Sequence, residues 1–183
     1  RYELDAAINS ALTPPFGPVW LDVPADAGSA AADESDSIRF DPVKERVIDT
    51  SEIAGLIREV LSAERPLVLA GNGVGLSGSR EAFRAFAEKH QLPCVFTYGA
   101  TDLLASNHPL HIGRIGIKGT RAGNMALQRC DLLLILGACL NVPQTGYDRS
   151  LFAPNARKIA VDIEPVEGFT TIACELSVFF KVY

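Results

Sequence analysis

The chain has 183 residues, enough for one domain of ordinary size, and 48% of them are apolar, enough for a buried core. Its 17 lysine and arginine residues are outnumbered by 22 acidic residues, and the net charge of −5 disfavours sequence-unspecific binding to nucleic acid. The longest nearly continuous apolar run, residues 132–140, is too short to span a bilayer, and the four cysteines form no C-x-x-C pair. We therefore expect no nucleic-acid partner, no membrane partner and a location in the reducing cytoplasm.

The first 49 residues contain one helical pattern and one strand-like pattern. Residues 2–13 carry apolar side chains at helical spacing and predict an amphipathic helix that ends before two prolines. Residues 18–23 are rich in β-branched and aromatic side chains and predict a short buried strand. Residues 25–49 are small and acidic and predict a linker, with a short extended piece at 38–40.

From residue 50 onwards, helical patterns alternate with short apolar runs. The predicted helices cover residues 53–61, 82–87 and 120–129, with a further one starting near Ser177, and the predicted strands cover 66–70, 93–97, 131–136 and 158–163. Residues 98–117 have few apolar anchors and predict a loop. Strands that are apolar on both faces and are separated by helices indicate a parallel sheet covered on both sides.

A glycine-rich segment follows the predicted strand at 66–70. Residues 73–78 (GVGLSG) fit the pattern G-x-G-x-x-G, in which glycines let backbone N–H groups approach a phosphate at a helix N-terminus. The acidic residue that would bind the ribose of NAD is missing, because the next strand ends in residues 96–99 (FTYG). The segment therefore favours either another nucleotide-like ligand or a tight turn with no ligand.

A second glycine-rich segment precedes the predicted helix at 120–129. Residues 113–121 contain three glycines, three cations and a threonine. Free N–H groups at the helix N-terminus, with the charges of Lys118 and Arg121, would suit a diphosphate. The alternative is a mobile surface loop whose glycines serve its turns.

Two further groups of residues follow predicted strands. Residues 137–139 (GAC) come directly after the strand at 131–136, at the sheet edge where α/β folds bind ligands. Asp162 and Glu164 end the next strand and could accept hydrogen bonds from ribose hydroxyls, although two surface carboxylates without a ligand are the simpler interpretation.

Three residues with reactive side chains do not form a site by their spacing. His108 and His111 have H-x-x-H spacing but no third ligand nearby, so we expect no metal site. Cys139 has no base that could be paired with it, and we expect a small buried thiol. We accordingly assign no catalytic residue to this chain.

Five blocks of residues give the chain a resemblance to a known family. The blocks are residues 17–24 (GPVWLDVP), 65–74 (RPLVLAGNGV), 108–120 (HPLHIGRIGIKGT), 131–138 (DLLLILGA) and 152–165, which begins FAPNA and ends VDIEP. In this order they resemble thiamine-diphosphate-dependent enzymes of the acetolactate synthase type, over nearly the whole chain. The resemblance implies the central domain of a three-domain subunit, with a doubly wound, six-stranded parallel sheet in a Rossmann-like (DHS-like FAD/NAD-binding) three-layer sandwich.

The resemblance also implies a division of the chain and of the parent enzyme. Residues 1–24 resemble the C-terminal end of a preceding pyrimidine-binding domain, residues 25–49 the linker, and residues 50–183 the central domain. Thiamine diphosphate and Mg²⁺ would be bound mainly by domains absent from this chain, so we expect a fragment that is inactive alone. Its partners would be the other domains of the same polypeptide, in a homodimer or homotetramer that acts as a carboligase or lyase.

Family members with a flavin hold FAD along the carboxyl edge of this sheet. The matching positions here are Gly71, Asn72, Gly73, Thr97, Gly116, Lys118, Gly119, Thr120, Gly137, Ala138, Asp162 and Glu164. Residues 137–143 (GACLNVP) depart from the flavin-binding pattern GARFDDR by losing two arginines and two aspartates. FAD or ADP binding therefore stays open beside two alternatives, a self-contained NAD/FAD-binding domain of DHS-like type and a purely structural domain with no ligand.

Overall fold

The computed structural model describes residues 1–13, 16–31, 38, 40–41, 50–166 and 169–182. The chain divides into two units, Arg1–Val47 and Ile48–Tyr183. The first unit contains the helices α1 (Tyr2–Leu12) and α2 (Ala25–Ser29), so the helix predicted at 2–13 is confirmed and a short helix lies in the predicted linker. Most of the linker, and residue 39 of the predicted extended piece, lie outside the described residues.

The buried strand predicted at 18–23 is wrong. These residues have no regular secondary structure, and the Trp20 side chain is 91% exposed. The physical reason is the lack of a partner, because the described part of this unit contains no other strand and an isolated strand leaves its backbone groups unpaired.

The second unit alternates helices and strands as the sequence predicts. Its helices are α3 (Thr50–Ser62), α4 (Gly73–Leu76), α5 (Arg80–His90), α6 (Arg121–Arg129), α7 (Val142–Thr145) and α8 (Leu176–Val182). Its strands are β1 (Pro66–Ala70), β2 (Cys94–Phe96), β3 (His111–Arg114), β4 (Leu132–Leu136), β5 (Arg157–Asp162) and β6 (Thr170–Ala173). The predicted helices at 53–61, 82–87 and 120–129 and the four predicted strands after residue 65 are therefore confirmed.

The six strands form one parallel sheet with the order β3-β2-β1-β4-β5-β6. β1 and β4 pair at the centre, with Leu69 beside Ile135. Both strands are almost wholly buried, as parallel strands covered on both faces must be. The order runs outward in opposite directions from this central pair, which places a topological switch point between the carboxyl ends of β1 and β4.

Successive side chains of each strand point to opposite faces of the sheet, and each face has its own core. On one face Val68 and Ala70 pack with residues of α3, α5 and α8, including Phe83 and Phe179. On the other face Leu67 and Leu69 pack with residues that include Leu127 of α6 and Phe152. Helices thus cover both faces, and the expected α/β class with a doubly wound, six-stranded parallel sheet is confirmed.

The sequence patterns did not predict two strands, β3 and β6, which lie at the two edges of the sheet. β3 falls inside the predicted loop 98–117, and its residues are only partly buried apart from Gly113. β6 has the burial of an outer strand, with Thr170 exposed and the following residues half-buried. An outer strand has a neighbouring strand on one edge only and is less completely covered, so its sequence lacks the continuous apolar run that identifies the central strands.

Candidate functional site

The switch point between β1 and β4 is closed by contact between two backbones. The N–H of Gly71 donates to Leu136 O at 2.8 Å, and the N–H of Gly73 donates to Gly137 O at 2.9 Å. A β-carbon added to Gly73 would lie 2.8 Å from the Cα of Gly137, and one added to Gly71 would overlap Ala138. The glycines at these positions therefore serve the close approach of the two loops.

This contact also determines which N–H groups of the first glycine-rich loop are free for a ligand. Gly71 and Gly73 already donate to β4 and its loop, and Val74 donates to Gly71 O at 3.2 Å. Residues 73–76 form the short helix α4. A phosphate that bound the N–H groups of Gly71, Gly73 and Val74 would have to displace these hydrogen bonds.

The second glycine-rich segment, between β3 and α6, is also bonded within the protein. The side-chain amide of Asn124 accepts from Gly116 N–H at 2.9 Å and donates to Gly116 O at 3.0 Å. Ile117 N–H donates to Pro143 O at 2.9 Å, and Thr120 N–H donates to Arg114 O at 2.9 Å. The segment is therefore an ordered loop tied to the loop after β4, and these N–H groups are not turned towards a ligand.

The N-terminus of α6 has its own side-chain cap. Thr120 is the N-cap residue, and its hydroxyl accepts from Gly123 N–H at 3.1 Å. The neighbouring cations lie beside an exposed aromatic ring, with Arg114 Cζ 5.2 Å and Lys118 Nζ 5.9 Å from the ring centroid of Tyr98. Lys118 is thus placed beside β2 and β3, towards one side of the sheet.

An open cavity of about 230 Å³ lies at the carboxyl ends of β4 and β5. Its lining residues come from the two loops that follow these strands: Ala138, Cys139, Leu140, Arg149, Asp162, Glu164, Pro165 and Val166. Arg149 donates to Leu140 O at 3.5 Å, which helps to hold it at the rim. The cavity therefore combines an apolar wall with two carboxylates and a guanidinium.

The two carboxylates of the cavity differ in their surroundings. Asp162 is half-buried, and burial raises its pKa, while the backbone N–H groups of Glu164 and Ile163 stabilise the ionised form. The charge of Glu164 adds to the upward shift in the pKa of Asp162. Glu164 is exposed. The half-buried carboxylate of Asp162 and the exposed carboxylate of Glu164 together favour hydroxyl donors or a cation at this position.

Cys139 was expected to be buried, and this expectation is wrong. The side chain is exposed on the cavity rim, whereas Cys94, Cys130 and Cys174 are buried. The reason is its place between Ala138 and Leu140, whose side chains are buried in the sheet core, so that the side chain of Cys139 lies on the outer side of this segment.

The two histidines of the H-x-x-H pair have separate surroundings. His108 Nε2 lies 3.2 Å from Glu88 Oε1, and the ring of His111 stacks on Phe96 with 4.6 Å between centroids. Among the described residues there is no group of three or more His, Cys, Asp or Glu side chains that could hold a metal ion. In the same part of the chain, no helix has the length and apolar character needed to cross a membrane.

The structure places the predicted cofactor residues in three groups and one separate position along the carboxyl edge. The residues that meet at the switch point are Gly71, Asn72, Gly73, Gly137 and Ala138. The loop before α6 carries Gly116, Lys118, Gly119 and Thr120, and the cavity is lined by Asp162 and Glu164. Thr97 is buried, directly after β2. The sequence did not single out Arg149 or the ring of Tyr98. Only the folded chain brings Arg149 into the cavity that Asp162 also lines, and the ring of Tyr98 to Lys118.

Comparison with known proteins identifies the family. The sequence profile of the thiamine pyrophosphate enzyme central domain matches residues 53–182, which is most of the chain and the whole of the sheet described above. The chain belongs to this central domain family. The resemblance to thiamine-diphosphate enzymes is therefore confirmed.

Individual relatives of this central domain agree with the family match. The chain is 35% identical over 152 residues to the acetolactate synthase isozyme 1 large subunit of Escherichia coli, covering 82% of the chain and 26% of the relative. It is 35% identical over 167 residues to the acetolactate synthase large subunit of Corynebacterium glutamicum, covering 90% of the chain and 26% of the relative. The chain thus spans about a quarter of the length of the curated relatives it matches.

Proposed function

We propose that this central domain works within a larger thiamine-diphosphate-dependent enzyme of the acetolactate synthase type. The observation that carries the proposal is the match to the central domain family over residues 53–182, together with relatives about four times as long as the matched segment. The parent enzyme would form or break a carbon–carbon bond next to a carbonyl group. When bound, thiamine diphosphate supplies the electron sink for that chemistry.

The role of this domain in the parent enzyme would be positional. We propose that other domains of the same polypeptide hold thiamine diphosphate and Mg²⁺, in a homodimer or homotetramer. The backbone hydrogen bonds from Gly71 to Leu136 and from Gly73 to Gly137 support a rigid spacer, because two segments joined in this way leave little freedom at the sheet centre. A cytoplasmic location agrees with four free cysteines.

The cavity beside β4 and β5 supports a second element of the function, binding of the nucleoside part of ADP or FAD. Its volume of about 230 Å³ is below the roughly 300–1,000 Å³ of pockets that enclose a whole drug-sized ligand. A ribose and its base are small enough for it, with the phosphates outside. Asp162 and Glu164 would accept from the ribose hydroxyls, and Leu140 and Val166 would contact the base.

The fit is better for a nucleoside than for a diphosphate within the cavity. The two carboxylates outnumber the single guanidinium of Arg149 in the cavity lining and so repel phosphate oxygens on balance, whereas neutral hydroxyl groups can donate to both carboxylates. At the switch point, the N–H groups of Gly71 and Gly73 already have acceptors within the protein. The same two hydrogen bonds favour the alternative of a structural domain without a ligand, because these N–H groups are satisfied within the protein.

The proposed parent activity is tested on the full-length polypeptide. Consumption of 2-keto acids is measured with and without thiamine diphosphate and Mg²⁺, alone and with added aldehyde or keto acceptors. The expected result is turnover that requires both cofactors. Absence of turnover for every 2-keto acid supplied, together with no binding of thiamine diphosphate, would overturn the proposal.

The nucleoside site is tested by calorimetric titration of the chain with ADP. We expect Asp162→Asn combined with Glu164→Gln to raise the dissociation constant at least about tenfold, because hydrogen bonds to charged groups contribute roughly 1.5–3 kcal/mol. Glu81→Gln, an exposed change in the first turn of α5, is the matched control. If neither ADP nor FAD binds, the structural alternative stands.

A further inference from the structure

The sequence contains one asparagine that is followed directly by glycine, Asn72, and it lies at the switch point. In such a pair the glycine nitrogen can attack the side-chain amide carbon of the asparagine, because glycine has no side chain to hinder the approach. The Cγ–Nδ2 bond breaks, ammonia leaves with the proton lost by the nitrogen, and a succinimide ring forms. Water then opens the ring at either carbonyl group and gives aspartate or isoaspartate.

The side chain of Asn72 offers no protection against this reaction, because the residue is exposed. Water, the second reactant, has free access to it. Any protection must therefore come from the backbone that positions the nitrogen of Gly73.

The backbone at the switch point opposes ring closure in two ways. Asn72 has a helical conformation, with φ −63° and ψ −21°, and ring closure requires rotation of the Gly73 nitrogen towards the Asn72 side chain. The N–H of Gly73 also donates to Gly137 O at 2.9 Å. Loss of that proton would leave a negatively charged nitrogen facing a carbonyl oxygen. The reaction therefore needs the switch point to open first.

Both neighbours of Asn72 are anchored on the same partner segment. The N–H of Gly71 donates to Leu136 O at 2.8 Å, and the N–H of Gly73 donates to Gly137 O at 2.9 Å. Isoaspartate adds one methylene group to the main chain between these two anchors, whereas aspartate keeps the main-chain length. The contact has no spare room, because even a β-carbon on Gly71 would overlap Gly137 O.

We propose that Asn72 is a deamidation site that the hydrogen bond from Gly73 to Gly137 keeps locked in the closed domain. Opening of the switch point releases the lock. Isoaspartate formed during an opening then prevents the two anchors from closing together again. The modification thus records openings of the sheet centre irreversibly, and it does so whatever the parent enzyme catalyses.

The first experiment compares deamidation of the full-length protein, folded and unfolded in urea, at mildly alkaline pH. Peptide mass spectrometry with electron-transfer fragmentation identifies both products at Asn72. Conversion in the folded protein should be about a hundredfold slower or more, because the reaction follows the open fraction. Equal rates in the two states would overturn the proposal.

An internal reference shows whether the protection is local. Val142→Gly places a glycine after Asn141, which is exposed and has an extended ψ of 171°. In the same folded variant, Asn141 should convert roughly tenfold faster than Asn72 or more. Equal conversion of the two asparagines would contradict a lock that is specific to the switch point.

The second experiment opens the lock with Gly137→Ala. The added β-carbon would lie 2.8 Å from the Cα of Gly73, so conversion of Asn72 should rise roughly tenfold or more. Gly146→Ala is the matched control, because Gly146 also has a positive φ but its β-carbon would meet no atom within 4 Å. Equal conversion in the two variants would overturn the lock.

A variant that does not fold is replaced by the wild-type protein in urea below its unfolding transition. Conversion of Asn72 should then rise in parallel with hydrogen exchange at the Gly73 N–H. Conversion that stays constant while this exchange accelerates would likewise overturn the lock.

The third experiment tests the effect of the product. Purified protein with isoaspartate at position 72 is compared with Asn72→Asp, which has the same charge without the added methylene group. Hydrogen exchange at the N–H groups of Gly71 and Gly73 should be roughly tenfold faster or more in the isoaspartyl form. Equal exchange in the two forms would show that the loops close over the longer main chain.

Discussion

The backbone of Gly71 lies so close to that of Gly137 that a β-carbon on Gly71 would overlap the Gly137 carbonyl oxygen. Both residues directly follow central strands of the sheet, and Gly71 also donates to Leu136 O. Backbone atoms cannot rotate away as a side chain can. The contact therefore requires glycine at position 71 for steric reasons, whatever ligand the domain binds.

We predict that Gly71→Ala lowers the free energy of unfolding by about 3 kcal/mol or more, the upper range for overpacking of a closed site. Urea unfolding followed by circular dichroism gives the value. Gly55→Ala is the matched control, because a β-carbon at this position in α3 meets no atom within 4 Å. There the same substitution should stabilise the protein by up to about 1 kcal/mol through helix propensity. Equal effects at both positions would contradict the steric argument.

Asp162→Asn should raise thermal stability near neutral pH. Burial raises the pKa of Asp162 in the folded state, so the ionised carboxylate is disfavoured relative to the unfolded chain. This cost is present above the folded pKa and disappears as the pH falls through it. The gain in melting temperature of Asp162→Asn over the wild type should therefore shrink on acidification. A gain that is independent of pH would show that the charge of Asp162 is not the cause.

Cys139 should be the one thiol that reacts rapidly in the native protein. Burial raises the pKa of Cys94 to about 12 and of Cys130 to about 11, and it also raises that of Cys174. Only Cys139 among the four cysteines is exposed. Titration with a disulfide reagent should find one fast thiol, which Cys139→Ser removes, and four after unfolding. Fast loss of a second thiol would show that the core opens readily.

The thiol of Cys139 should also report on ADP binding, because Cys139 helps to line the cavity proposed for ADP. Saturating ADP should slow the labelling of Cys139, while it leaves the slow thiols unchanged. Slowing that persists in Asp162→Asn with Glu164→Gln would place ADP elsewhere.

Asn124→Ala should destabilise the loop between β3 and α6. The amide of Asn124 satisfies both the N–H and the carbonyl oxygen of half-buried Gly116, at 2.9 and 3.0 Å. Loss of both bonds should cost about 2 kcal/mol, measured by urea unfolding. Gln128→Ala lies on the same helix and removes one exposed bond to Leu151 O, so its cost should stay below about 1 kcal/mol. Comparable costs for the two variants would show that burial of the Gly116 bonds contributes nothing.

The sequence predicts the central strands well because each is apolar on both faces, as Leu132–Leu136 illustrates. It does not predict β3, where Gly113 adopts a φ of 142° and the flanking side chains are half-buried. The opposite error occurs at residues 18–23, whose strand-like composition is not matched by any pairing partner in the described residues. Composition reports the preference of a segment, whereas a strand also needs a neighbour.

The same distinction applies to the candidate site. That the cofactor candidates lie at the carboxyl edge follows from the parallel topology, which the sequence predicts. Whether their N–H groups are free depends on contacts between distant loops, such as Ile117 with Pro143 and Gly73 with Gly137. No local pattern contains that information, so the two glycine-rich segments resemble phosphate loops in sequence while their hydrogen bonds close within the protein.

The strand order also constrains how this domain can fold while it is being synthesised. β1 ends at Ala70, but its central neighbour β4 begins only at Leu132, and parallel neighbours cannot be joined by a tight hairpin. During synthesis, the edge of the apolar strand β1 that pairs with β4 therefore stays unpaired while β2, β3 and α6 are translated. Folding of the sheet is a late, long-range event, and the interval before β4 emerges is when the chain most needs protection from aggregation.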